Sequence, residues 1–137
     1  MPGITRRDGE HGEKLLESNL SDLIIGKAII VHSTLGPGLL ESVYEACLEY
    51  EYLSAGLHVE RQKVLPVNYK NIRLDDGLRM DLVVENKVVI ELKCVDKIMP
   101  VHEAQLQTYL KLSGLRVGFI FNFYTKYLKD GMKRLVL

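Results

Sequence analysis

The sequence RMDLVVENKVVIELK, residues 79–93, decides the fold. It contains two apolar, β-branched runs, Arg79–Val84 and Val88–Val95, on either side of the short polar stretch Glu85-Asn86-Lys87. Runs of this kind around a polar connection are typical of a β-hairpin. The stretch therefore predicts two neighbouring antiparallel strands at the centre of the chain.

Charged residues occupy alternate positions near the end of this hairpin. Side chains on a strand alternate between its two faces, so Glu91 and Lys93 share one face. The other face is apolar and is predicted to lie in the core; it consists of Val88, Ile90, Leu92 and Cys94. A hairpin centred on Asn86 places Asp81 opposite Glu91, whereas a two-residue turn would place Leu82 there and mix apolar with charged side chains. Because hydrophobic pattern sets register, we predict that Asp81 faces Glu91.

Two carboxylates facing each other across a strand pair repel, because their Cβ atoms lie only about 5 Å apart. A divalent cation with carboxylate oxygens as ligands offsets this repulsion. Lys93, two residues after Glu91, can reach a ligand oxygen on the same side. Carboxylates that hold a metal beside an ammonium group are suited to reactions at phosphate. The alternative is an exposed sheet face that carries ordinary charges, and these three residues alone do not separate the two interpretations.

The rest of the chain predicts helices before the hairpin and after it. Apolar spacing, turn residues and helix-start and helix-end signals give these elements: a helix begun by Ser21 or Asp22 that runs to Thr34, a helix over Leu39–Ala55, a strand over Leu57–Tyr69, a turn at Asp75-Asp76-Gly77, a helix over Pro100–Ser113, a strand over Val117–Phe123 and a terminal strand over Arg134–Leu137. This order predicts an α/β (α+β) domain with a mixed central sheet flanked by helices.

Both flanking helices carry polar residues on the sides predicted to approach the sheet. Gln105 falls near the middle of the buried arc of its helix, with Tyr109 one turn later. A buried amide needs hydrogen-bond partners, which either the backbone or a polar site can supply. Glu41 shares a helix side with Gly38 and Tyr44. Its place in the first turn also suits the helix dipole, so Glu41 alone does not indicate a site.

Composition sets outer limits on the function. The chain has 137 residues, and its 18 basic and 18 acidic side chains balance, which argues against a protein that coats nucleic acid non-specifically. Cys47 and Cys94 lack metal-site spacing and favour free thiols in a reducing cytoplasm. No apolar run reaches the ~20 residues of a membrane span. We expect a flexible segment at residues 1–19 and one domain at 20–137.

Together these motifs resemble the PD-(D/E)xK nuclease superfamily, with its restriction-endonuclease-like αβββαβ core. Within it, Gly38-Leu-Leu-Glu41-Ser-Val-Tyr44 is similar to the signature of GxxExxY proteins, and Gln105-x-x-x-Tyr109 to an element of the exonuclease-type branch. Met80 stands where the superfamily name has proline.

The resemblance implies a Mg²⁺- or Mn²⁺-dependent nuclease that acts on DNA or RNA. It implies metal ligands at Glu41, Asp81 and Glu91 and catalytic roles for Lys93, Glu91, Asp81 and Gln105. Tyr44 and Tyr109 would support the site or contact the substrate. The alternative is a catalytically weak nucleic-acid-binding or protein-interaction module that retains the fold. The small size also makes a homodimer or a protein partner plausible.

Overall fold

The computed structural model describes the backbone of residues 5–137 and the side chains of residues 18–137. The prediction of a flexible segment at residues 1–19 stays a prediction; residues 1–4 lie outside the described backbone, and residues 5–19 belong to a helix. The elements are α1 Thr5–Leu35, α2 Glu41–Ser54, β1 Val59–Tyr69, β2 Ile72–Val84, β3 Val88–Lys93, α3 Pro100–Ser113, β4 Val117–Asn122, a short 3₁₀ helix Leu128–Gly131 and β5 Met132–Val136.

The five strands form one mixed sheet in the order β1-β2-β3-β4-β5. Strands β3 and β4 are parallel, and the other neighbouring pairs are antiparallel. A parallel pair needs a crossover connection, which α3 provides. The predicted fold class, an α+β domain with a mixed central sheet, is confirmed.

Both faces of the sheet are buried at its central strands, β3 and β4. On one face, α1 and α2 cover the alternating apolar residues of β3, including Val88, Ile90 and Leu92. On the other face, α3 packs through Leu106, Tyr109 and Leu110 against residues that include Val83, Val89 and Ile120. The face that carries Glu91 is therefore not an open, solvated surface.

Helix α3 approaches β4 closely because β4 has a glycine at the contact. A Cβ atom at Gly118 would lie 2.8 Å from Leu106 Cδ1, closer than real Cβ contacts come. Leu106 is fully buried. Gly118 thus determines how close α3 lies to the sheet, and therefore how far the polar residues of α3 lie from it.

The described structure differs from two local predictions. Helix α1 begins at Thr5 and not near Ser21, because the preceding residues are mostly good helix formers. The predicted turn at Asp75-Asp76-Gly77 is wrong, since these residues lie within β2. The chain reverses at Lys70-Asn71, where Lys70 adopts a left-handed φ of 54° and Tyr69 pairs with Ile72.

Two expectations from composition can also be compared with the structure. Cys47 and Cys94 are both free. Among the described residues, no helix is long and apolar enough to cross a membrane.

Candidate active site

The β2–β3 hairpin has the register that the hydrophobic pattern predicts. Leu82 pairs with Ile90, and Val84 with Val88. Next to the Leu82–Ile90 pair, on the side away from the hairpin loop, side chains connect the two strands. The Asp81 N–H donates to Glu91 Oε2 at 2.9 Å, and the Leu92 N–H donates to Asp81 Oδ2 at 2.8 Å. The structure therefore places the two predicted carboxylates side by side.

This carboxylate pair is electrostatically unfavourable, with Glu91 buried and Asp81 partly buried. Glu91 is only 4% exposed. Burial, followed by the nearby charge of Asp81, raises the pKa of Glu91 from 4.5 to about 8. Burial is also the largest cause of the raised pKa of Asp81. The interpretation of Glu91 as an ordinary exposed charge does not hold, because a buried acid of this kind needs a compensating partner.

The pair suits a hard divalent cation. Hydrogen bonds from the described residues reach only Oε2 of Glu91, so they leave Oε1 as a free acceptor. Carboxylate oxygens are the ligands that Mg²⁺ and Mn²⁺ prefer. A bound cation would also offset the repulsion that raises the pKa of Glu91.

Lys93 lies next along β3 and is held by α3. Its Nζ donates to Gln105 Oε1 at 3.1 Å, and Gln105 Nε2 donates to the Tyr109 hydroxyl at 3.1 Å. Burial raises the pKa of Tyr109, with smaller contributions from the negative charges of Glu91 and Asp81. The structure thus brings together five of the predicted residues: Asp81, Glu91, Lys93, Gln105 and Tyr109.

Glu41 lies apart from the carboxylate pair. It is the exposed first residue of α2, and its Oε2 accepts a hydrogen bond from the Cys94 N–H at 3.1 Å. It is near enough to Asp81 to contribute to the raised pKa of that group. Within the part of the chain that the structure describes, however, no three His, Cys, Asp or Glu side chains are grouped closely enough to hold a metal.

Tyr44 lies inside the protein, below the loop that leads to Glu41. It is fully buried and stacks on Phe123 with ring centroids 4.4 Å apart. Its hydroxyl donates to the Gly36 carbonyl at 2.5 Å and accepts from the Leu39 N–H at 3.1 Å. Its contacts are those of a residue that supports the loop from Gly36 to Leu39.

Two residues at the site were missed in the sequence. Glu45 is buried, and its carboxylate accepts from Arg61 Nε at 2.6 Å and from Gln62 Nε2 at 2.7 Å. Gln62 Nε2 also lies 3.3 Å from Asp81 Oδ1, and it adopts a left-handed φ of 53°. Such a conformation is uncommon for a residue other than glycine and often accompanies functional sites.

The spacing of acidic residues on α2 could have revealed Glu45. It follows Glu41 by four residues and therefore lies on the same helix side. Its charge contributes to the raised pKa of both Asp81 and Glu91. Gln62 carries no such signal, because its position opposite Asp81 depends on the unpredicted turn at Lys70-Asn71.

The comparison with protein families agrees with this arrangement. A family model described as the PD-(D/E)XK nuclease superfamily matches residues 18–135. The match covers most of the chain, so the chain belongs to this superfamily. No curated protein and no solved structure gives a significant match.

Proposed function

We propose that this chain, as a member of the PD-(D/E)XK nuclease superfamily, is a Mg²⁺- or Mn²⁺-dependent nuclease that hydrolyses phosphodiester bonds in DNA or RNA. The observation that carries the proposal is the buried Glu91 next to the partly buried Asp81, with Lys93 beside them. Two adjacent acids, one of them buried, weaken the fold unless a cation binds there, and family membership supplies a reaction that needs one.

In this proposal Asp81 and Glu91 hold the cation, and Glu41 would become the third ligand by moving from the Cys94 N–H towards it. A bound divalent cation would polarise the phosphate and lower the pKa of a water molecule. The protein fixes the ligands beforehand: the Leu92 N–H and Gln62 orient Asp81, and the Asp81 N–H orients Glu91. Such preorganisation keeps the carboxylates in place as charge develops.

Lys93 is the catalytic cation of the protein itself. Gln105 accepts from its Nζ, and Tyr109 in turn accepts from Gln105. This chain of hydrogen bonds limits the conformations of a long, flexible side chain. Lys93 is then positioned to stabilise negative charge on the phosphate as the bond to the leaving oxygen breaks.

Further parts of the proposal concern relationship and location. Membership of the GxxExxY group is supported by Gly38, Glu41 and Tyr44 at the required spacing. The nuclease domain is placed at residues 20–137, within one residue or two of the bounds that the family match gives. Two free thiols favour the cytoplasm.

A homodimer or a protein partner is also proposed, on the evidence of exposed apolar side chains along α1 and α2. Ile30, Tyr50 and Leu53 are each about half or more exposed. Sedimentation velocity tests this part of the proposal. If the wild type is a dimer, Tyr50→Ser should lower its sedimentation coefficient to that of a monomer. If the wild type is already a monomer, the homodimer is excluded and only a protein partner remains proposed.

One observation favours a second candidate function, a binding module that retains the fold but cleaves little. Glu41 does not join Asp81 and Glu91 in a closed ligand set among the described residues. The balanced charge of the chain also gives it no general attraction to nucleic acid.

An assay on single- and double-stranded DNA and RNA, with Mg²⁺, with Mn²⁺ and with EDTA, tests the proposal. The wild type should cleave at least one substrate with a metal and none with EDTA, and Glu91→Ala should cleave none. Lys87→Ala is a matched control, because Lys87 is exposed in the hairpin loop at the far end of β3. Absence of cleavage of every substrate with both metals would favour the binding module.

A further inference from the structure

The loop after β4, residues 124–129, is built to hold a fixed shape. Asn122 is buried, and its side chain exchanges hydrogen bonds with the backbone of Val95 and accepts one from the Tyr124 N–H at 3.2 Å. Thr125 Oγ1 bonds to the carbonyls of Asn122 and Tyr127 at 3.0 and 2.8 Å. The backbone of the loop is thus fixed by side chains that face inward.

Two contacts beneath the loop strengthen this arrangement. The buried His32 donates from Nε2 to the Thr125 carbonyl at 2.7 Å, which ties the loop to α1. Gly131 leaves room for the turn, because a Cβ there would lie 2.5 Å from the Asn122 carbonyl oxygen. The exposed residues of the 124–129 loop therefore stand on a rigid base.

The outer surface of this loop is aromatic and basic. Tyr124 is 51% exposed and Tyr127 is 56% exposed. Lys126, which lies between the two tyrosines in sequence, and Lys129, which follows them, are also exposed. Among the described residues, neither lysine takes part in an ion pair. Lys126 lies over the Tyr127 ring, with Nζ 5.5 Å from its centroid.

Concavities along this surface extend as far as Glu41, at the edge of the candidate active site. One concavity is lined by residues that include Glu41, Cys94 and Tyr124. A second concavity is also lined by Tyr124, and in addition by Lys126. A third concavity is also lined by Lys126, and in addition by Tyr127 and Lys129. Neighbouring concavities share the lining residues Tyr124 and Lys126; together the three are called the groove, which follows the 124–129 loop from Glu41.

We infer that this groove binds a single-stranded segment of nucleic acid and leads it to Glu41, at the edge of the candidate active site. The inference rests on the proposed nuclease function and specifies its substrate class. Exposed aromatic rings stack on bases of any sequence, and neighbouring lysines neutralise the phosphates between them. In a duplex the base faces are stacked inside, so Tyr124 and Tyr127 favour the single strand.

Binding can be measured apart from cleavage in the Asp81→Asn background, which removes one of the repelling carboxylates. The probe is a short fluorescein-labelled oligothymidylate, followed by fluorescence anisotropy, with a duplex of equal length for comparison. Tyr124→Ala and Tyr127→Ala should each weaken binding of the single strand by about fivefold or more. Lys126→Ala should make the negative slope of log K against log salt concentration shallower by about 0.7.

The β1–β2 hairpin offers a matched control. Tyr69 is 58% exposed, and Lys70 Nζ lies 5.4 Å from its ring centroid, the same kind of pair as Lys126 and Tyr127. Neither residue lines the groove. Tyr69→Ala should leave the affinity unchanged, so a loss specific to the loop variants separates the groove from general surface effects.

The outcomes separate this inference from the nuclease proposal. Loop-dependent binding of the single strand, in a protein that cleaves nothing, supports the groove and overturns the nuclease. Cleavage by the wild type together with single-strand binding that is unchanged in Tyr124→Ala, Tyr127→Ala and Lys126→Ala overturns the groove and leaves the nuclease standing. Equal or tighter binding of the duplex also overturns the groove.

Discussion

Glu91 should make the metal-free protein less stable as the pH rises. Its pKa is about 8 in the folded chain and 4.5 ordinarily. The folded state therefore retains a proton that the unfolded state has released at intermediate pH. A raised pKa gives stability that is fully present below pH 4.5 and is lost as the pH rises through about 8.

The size of this loss follows from the two pKa values. Each pKa unit corresponds to about 1.4 kcal/mol, so the free energy of unfolding should fall by about 3–4 kcal/mol between pH 5 and pH 8 from this group alone. A small domain has only about 5–15 kcal/mol in total. The loss is therefore a large share of the free energy of unfolding of a domain of this size.

The variant Glu91→Gln should remove this dependence. Gln keeps the shape and an acceptor for the Asp81 N–H, but it carries no charge at any pH. At pH 8 the variant should exceed the wild type by about 4 kcal/mol in EDTA. Mn²⁺ should raise the stability of the wild type and leave the variant nearly unchanged, since only the wild type retains both carboxylates.

Urea denaturation in EDTA at a series of pH values from 5 to 8 measures these differences. The informative quantity is the difference in free energy between wild type and Glu91→Gln, because pH effects of other groups cancel. Asp76→Asn, an exposed position on β2, is the control and should show no such trend. If the difference between wild type and Glu91→Gln is the same at pH 5 and pH 8, the argument for an unfavourable carboxylate pair fails.

Two further variants test the surroundings of the site. Glu45→Ala removes the carboxylate that accepts hydrogen bonds from Arg61 and Gln62. Urea denaturation should then show a free energy of unfolding lower by about 1–3 kcal/mol, and cleavage should be slower. Unchanged stability and unchanged cleavage would show that Glu45 is not part of the site. Gly118→Ala should lose about 1–3 kcal/mol through its contact with Leu106. Adding Leu106→Ala should abolish that extra loss in a double-mutant cycle, whereas strict additivity would show that the contact does not set the position of α3.

Local signals predicted some elements well. Helix α3 has the predicted bounds, because Pro100 suits the first turn and Gly114 ends the helix at a φ of 77°. The register of β2 and β3 also followed from the sequence, since a slip by one residue would have placed the apolar Leu82 opposite the charged Glu91.

Other features depend on contacts that are distant in the sequence. The alternation in β3 predicted one buried face, but Val89 lies in a second core under α3, which periodicity alone does not reveal. Gln62 approaches Asp81 only because β1 and β2 turn at Lys70-Asn71. Glu45 approaches the carboxylate pair through the packing of α2 on the sheet. The candidate site was therefore predictable along the hairpin and α3, and much less so on β1 and α2.

Lys93 gives the most direct test that the carboxylate pair and its surroundings form an active site. Isothermal titration with Mn²⁺ and cleavage of the preferred substrate should be measured on the same preparations of wild type, Lys93→Ala and the control Lys87→Ala. Lys93→Ala should bind Mn²⁺ as the wild type does but cleave about 100-fold more slowly, because its ammonium acts mainly on the transition state. Cleavage by Lys93→Ala at the wild-type rate would contradict the account.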